Sequence, residues 1–138
     1  MTVAVVAREE LPIRSEEDIV RVRRLARALA QRGGFDAFAS AALMTAASEM
    51  ARNTWQHGGG GLAAIEEVRD GRRAGVRMTF ADRGPGIPDL ERVLRGGYST
   101  ASSLGLGMSG TRRLVDEFAI DTRPGEGTTI VVTKWTRR

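Results

Sequence analysis

The chain has no cysteine, so neither a disulfide framework nor a thiolate metal site is open to it. Its one histidine, His57, cannot by itself build a zinc centre. Aromatic residues make up only 5% of the 138 residues. The core therefore has to rely on leucine, valine, isoleucine, methionine and alanine, and the interleaved stacking platforms of a single-strand nucleic-acid binder are missing. No apolar run approaches the roughly 20 residues of a membrane span; the best candidate, Ala37 to Ser48, contains serine and threonine. The N-terminus lacks the basic-then-apolar order of a secretory signal. The expectation is a cytoplasmic protein with no membrane or nucleic-acid partner.

What is present fits one globular domain over residues 1–138, with 41% hydrophobic and 28% charged residues. Net charge is +4, from 21 basic and 17 acidic residues. Arginines cluster at 21–32 and 69–77, but acids are interspersed. The pattern reads as a solvated basic surface able to attract an acidic protein or an anionic ligand.

Thr2 to Ile13 is rich in valine and isoleucine and reads as a strand. Ser15 followed by Glu16, Glu17 and Asp18 reads as a capped helix start, with acids placed where the helix dipole favours them. Ile19, Val22, Leu25, Ala26 and Leu29 make one stripe at helical spacing, and Gly33-Gly34 ends it. A second helix starts between Phe35 and Ser40 and runs to about Gln56, with Leu43, Ala46, Ala47, Met50 and Thr54 facing inward. Glu49 and Asn53 fall on the shoulder of that stripe, and Arg52 points away from it. Four glycines after His57 read as a flexible turn. Leu62–Val68 and Gly75–Ala81 form a hairpin. Pro88–Leu94 is a short helix, 95–108 a polar glycine-rich loop and Thr111–Phe118 a helix. Ala119–Thr122 and Thr128–Trp135 are the last strands. The order β-α-α-β-β-α-β-β implies a two-layer α/β sandwich: a mixed, mostly antiparallel sheet with helices on one face.

Three segments carry chemistry. Glu49 and Asn53, four apart, share a helix face. A glutamate there can accept a hydroxyl proton in phosphoryl transfer, and an asparagine offers a neutral oxygen to Mg2+. Asp82, at a strand end, can accept a hydrogen bond from an adenine amino group, while Gly84 and Gly86 let the backbone approach the base. Gly105 to Gly110 can aim backbone amides at phosphates ahead of a helix, with the hydroxyls of residues 99–103 as parts of a closing lid. Thr128 opens the last strand and can touch the base from below. Each segment alone also reads as ordinary structure: a solvated Glu/Asn pair, a turn, a flexible loop, a strand edge.

Taken together, Glu49-Met-Ala-Arg-Asn53, Asp82-Arg-Gly-Pro-Gly-Ile87 and Gly105-Leu-Gly-Met-Ser-Gly110 resemble the N box and the two glycine boxes of the GHKL (Bergerat) ATP-binding fold. Within it they are most similar to the RsbT-type anti-sigma-factor serine/threonine kinases. Gly97-Tyr-Ser-Thr100, Ser103 to Met108 and Asp116-Glu-Phe118 carry the same likeness, which covers about Ile13 to Trp135. The resemblance implies ATP and Mg2+ as cofactors, Glu49 as catalytic base and Asn53 as the metal ligand. It implies Asp82 as adenine reader, with Gly84, Gly86, Ile87, Ser99, Thr100, Gly105, Leu106, Gly107, Met108, Gly110 and Thr128 lining the nucleotide. His57 reads as a structural or pocket-rim residue.

The function implied is transfer of the ATP γ-phosphate to a serine or threonine of a STAS-domain antagonist, within a partner-switching stress or sigma-factor pathway. A PP2C-type phosphatase or a sigma factor is the further partner. One alternative is an anti-sigma factor that binds its sigma factor directly, with nucleotide serving structure. Another is a histidine-kinase catalytic domain, against which stand the short interval from Ile87 to Gly105 and the lack of a histidine-bearing helical domain.

Overall fold

The computed structural model describes residues 2–95 and 102–136. Its elements are β1 (Ala4–Ile13), α1 (Glu16–Arg32), α2 (Ala37–Gln56), β2 (Gly61–Asp70), β3 (Arg73–Asp82), α3 (Leu90–Arg95), α4 (Ser102–Leu114), β4 (Glu117–Arg123) and β5 (Gly127–Trp135). The strands form one sheet in the order β1-β2-β3-β5-β4, and all four pairings are antiparallel.

Alternation along the strands decides which face is covered. Ala63 and Ile65 of β2, Met78 and Phe80 of β3, and Ile130 and Val132 of β5 are all buried. The register aligns them in two cross-strand rows, Ile65–Met78–Val132 and Ala63–Phe80–Ile130, and side chains two apart share a face. Against that face pack Ile19, Val22, Ala26 and Leu29 of α1, Leu43, Ala46, Ala47 and Met50 of α2, and Met108 of α4. These include most of the residues of the two helical stripes expected from spacing.

Caps set the helix starts. Ser15 accepts from the Asp18 amide, and the Asp18 carboxylate accepts from the Arg14 amide, an N-cap reinforced by the third helical residue. Asp36 caps α2 by accepting from the Ala39 amide at 2.7 Å, so α2 begins at Ala37.

Two sequence expectations give way in the C-terminal half. The glycine-rich stretch is not a loop up to Met108, because residues 102–114 form α4. The helix expected over Thr111–Phe118 stops at Leu114, and Phe118 lies in β4, opposite Val132. Tertiary packing outweighs propensity here. Met108 is fully buried and Val115 nearly so, which fixes α4 on the core despite its glycines. Phe118 serves the same core better as a strand residue, packed at its margin.

On the uncovered face, Glu66 sits between two arginines in register, Arg8 on β1 and Arg77 on β3. Arg77 donates to it at 2.8 Å and Arg8 at 3.2 Å. Burial works to raise the Glu66 carboxyl pKa, but the bond and charge of Arg77, then those of Arg8, hold it below its ordinary value. A depressed carboxyl contributes stability that is present above its unfolded pKa, about 4.3 for glutamate. That stability is lost as pH falls through the lower folded value. Urea midpoints should therefore show Glu66→Gln less stable than wild type at neutral pH, with the gap closing below about pH 4. A gap independent of pH would contradict the ion-pair account.

Candidate functional site

The site forms where α2, the end of β3 and α4 meet. Glu49 and Asn53 project from the C-terminal half of α2. Asp82 is the last residue of the central strand β3, with Gly61 and Thr128 as its cross-strand neighbours. Two small cavities open there. One, of about 10 Å³, is lined by Glu49, Arg52, Asn53, Gln56, His57 and Gly107 among others. The second, of about 110 Å³, is lined by Asn53, His57, Gly58, Asp82, Gly86 and Thr128 among others. Asn53 and His57 belong to both. The larger cavity is below the roughly 300 Å³ at which drug-sized sites begin. It suits one ring rather than a whole nucleotide, so the remainder of such a ligand would lie toward Asn53 and Glu49.

Asn53 is the most informative side chain. It is buried, and its Oδ1 is one of three buried side-chain polar atoms without a hydrogen-bond partner among the described residues. A buried orphan acceptor costs about 1–3 kcal/mol, so its retention calls for an external donor or cation. No group of three or more His, Asp or Glu side chains among the described residues could hold a metal. A neutral oxygen standing alone suits Mg2+, which keeps several waters and takes one or two protein ligands together with substrate phosphates. The residues present fit the ion.

Glu49 is partly exposed, 37% for its side chain, and faces the first cavity. Arg52 does not point away as its spacing suggested. It lines the same cavity and stands 3.6 Å from Glu49 as an i,i+3 ion pair. A Cβ added to Gly107 would lie 3.0 Å from Glu49 Oε2, so α4 rests directly on the carboxylate.

Asp82 uses Oδ1 to accept from the Gly84 amide at 2.9 Å, and no described residue bonds Oδ2. Gly58 abuts this carboxylate so closely that an added Cβ would overlap it. The glycines after His57 are thus a site wall as well as a turn. Gly86 takes φ +79° where a side chain would meet the Arg123 carbonyl, which only glycine tolerates readily. Behind the pocket, Thr122 Oγ1 accepts from the Ile87 amide at 2.8 Å and shares a 2.8 Å bond with Thr128 Oγ1. Sequence reading missed Thr122 and Gly58. The register pair Thr122–Thr128 becomes visible only once β4 and β5 are aligned.

The second glycine box is only partly joined to the site. Gly107 and Met108 reach the first cavity, although the Met108 side chain is itself buried in the core. Gly105, Leu106, Gly107 and Gly110 lie within α4. Beyond its first turn, amides bond to carbonyls four residues back, so Gly107 and Gly110 offer no free N–H in this conformation. Ser99 and Thr100 fall outside the described residues.

The backbone at Gly58 is open to alanine, since its φ is not positive, but the added methyl must displace Asp82, whose Cβ as well as its carboxylate stands in the way, so some loss of stability is expected in Gly58→Ala. The substitution should also weaken adenine-nucleotide affinity by about tenfold or more, as a displaced buried hydrogen-bonding group would. Titration with a fluorescent ATP analogue checks this. Unchanged affinity would remove Asp82 from the base pocket.

Residues 13–134 match the family described as histidine kinase-like ATPase domain. The chain is 43% identical to the serine/threonine-protein kinase RsbT of Bacillus subtilis over 91% of its own length and 94% of that protein. It is 28% identical to the anti-sigma F factor of Thermoanaerobacter sp. over 67% of this chain and 68% of that one. Among solved structures, a chain of the SiaB–SiaC complex from Pseudomonas aeruginosa superposes with a TM-score of 0.58 at 14% identity, covering 95% of this chain and 90% of that chain. That likeness speaks to fold.

Proposed function

The chain belongs to the histidine kinase-like ATPase family and is a serine/threonine-protein kinase of the partner-switching kind; from that premise we propose how its residues act and on what. The substrate is a STAS-domain antagonist protein, and residues 1–138 work as one ATP-binding domain. Adenine occupies the cavity beside Asp82 and Thr128, with Ile87, Gly84 and Gly86 around it. Asn53 holds Mg2+, which when bound neutralises charge on the triphosphate. Glu49 accepts the proton of the acceptor hydroxyl as that oxygen bonds to the γ-phosphorus. The bond from the γ-phosphorus to the β–γ bridging oxygen breaks, and ADP leaves with that oxygen. Gly105, Leu106, Gly107, Met108 and Gly110 cradle the phosphates, with Ser99 and Thr100 in the covering segment, once α4 has opened.

The observation that carries this reading is the orphaned Asn53 oxygen, set between a cavity with a carboxylate and a cavity with the Asp82 and Thr128 side chains. After phosphorylation the kinase is free for its second partner, a PP2C-type phosphatase or a sigma factor, in the cytoplasm. Among the described residues no helix is long and apolar enough to cross a membrane.

Label transfer from γ-labelled ATP to a purified STAS-domain protein tests the assignment. Acid-stable phosphoserine or phosphothreonine is expected. Acid-labile phosphate would favour histidine-kinase chemistry instead. The anti-sigma F relatives support a second reading, direct sigma-factor binding with nucleotide serving structure. Tight sigma-factor capture with no transfer to any STAS partner would select it.

A further inference from the structure

A groove of about 570 Å³ lies between α1 and α2, apart from the nucleotide cavities. Arg23 and Arg27, one turn apart on α1, line one side, and Ala41, Met44 and Thr45 of α2 line the other, with Phe35 between the two helices. The two arginines are exposed and make no ion pair with any described carboxylate. From Ala37 to Ser48 α2 carries no charged side chain. Phe35, Ala37, Ala41 and Met44 supply apolar contact, with Gln31, Ser40 and Thr45 among them, so the groove joins two uncompensated positive charges to a mixed, uncharged lining. Thr45 stands one turn before Glu49 on the same face of α2, about 6 Å along the helix. The groove thus leads toward the carboxylate assigned as base.

We propose that this groove docks an acidic amphipathic helix of the protein substrate, placing the neighbouring acceptor hydroxyl at Glu49. The proposal rests on the kinase reading and adds where the protein substrate is held. Helix-in-groove recognition needs apolar anchors on one face and complementary charge at the rim, and the groove provides both. Two arginines beside a groove of uncharged residues do not make the extended phosphate track of a nucleic-acid surface, nor the protruding apolar anchors of a membrane surface.

Two synthetic helices test this, one with a leucine stripe flanked by glutamates and its twin with lysines in their place. Each is titrated against wild type, Arg23→Glu/Arg27→Glu and Ala41→Trp, the last filling the groove from an exposed position. Affinity for an ATP analogue is measured in parallel. The glutamate helix should bind wild type with affinity that falls as salt rises. Both variants should weaken it about tenfold or more, the scale of losing charge pairs and shape fit, while nucleotide affinity stays unchanged. In phosphotransfer to a STAS-domain protein the same variants should raise KM and leave kcat unchanged. Equal binding of the two helices, or an affinity or KM indifferent to both variants, would overturn the proposal. Tighter binding of duplex DNA or anionic vesicles than of the glutamate helix, lost in the same variants, would also overturn it. Failure of docking with Glu49-dependent transfer intact would sink this inference alone; transfer indifferent to Glu49 would sink the kinase mechanism beneath it.

Discussion

Glu49→Gln is expected to lower phosphotransfer to the protein substrate by about 10²- to 10⁴-fold, the usual contribution of a positioned general base. Nucleotide affinity should barely move. Glutamine keeps the length and shape of glutamate, so the close packing against Gly107 survives. What is lost is the ability to take a proton, together with the ion pair to Arg52 at 3.6 Å. Both partners of that pair are substantially exposed, so the pair contributes little to stability. The variant should therefore fold and bind ATP normally, and single-turnover label transfer isolates the chemical defect. Transfer at the wild-type rate would show that another group takes the proton.

Asn53→Ala should separate function from stability in the opposite way. Most truncations of a buried side chain destabilise a protein by about 0.5–3 kcal/mol. Here the truncation also removes an acceptor that no described group satisfies, which returns about 1–3 kcal/mol. Unfolding midpoints without nucleotide should therefore stay near the wild-type value or rise. Mg2+-dependent ATP affinity should collapse, because Asn53 supplies the one buried, unpartnered side-chain oxygen on α2 among the described residues. Urea denaturation with and without nucleotide and Mg2+ reads both effects in one experiment, since a ligand that binds only the folded state raises its stability. A variant that lost stability but kept magnesium-dependent stabilisation would mean that Asn53 is structural.

The contrast between the two halves of the chain explains how far sequence reading reached. Through β3 the signals agree with one another. Ser15 caps, the Ile19-to-Leu29 stripe repeats at helical spacing, and the turn at Asp70–Arg73 sits between two strands of matched length. Local preference and global packing coincide there, which makes a segment readable. After Pro88 they conflict. Three glycines in α4 cost about 1 kcal/mol each relative to alanine, so sequence pattern favours a loop. The helix forms because Met108 and Val115 have a core to enter, and that core is assembled from strands elsewhere in the chain. The site divides in the same way. Glu49, Asn53 and Asp82 were legible because their motifs are local. Gly58 and Thr122 were not, since their importance comes from β3 and β5 passing close to them. Arg52 was misjudged because helical angle alone ignores the reach of a long side chain to its i−3 neighbour.

Phosphate binding at these glycines, as proposed, requires α4 to open. Three glycines make that opening less costly than alanines would, and it would free the amides of Gly107 and Gly110.

The most direct test is an amide NMR titration of the labelled protein with a non-hydrolysable ATP analogue and Mg2+. At one shared affinity, the resonances of Asn53, Asp82, Gly84 and Gly107 should all shift, with those of Gly107 and Gly110 showing loss of helical character. Shifts confined to a single segment, or separate affinities for the three, would contradict convergence on one nucleotide.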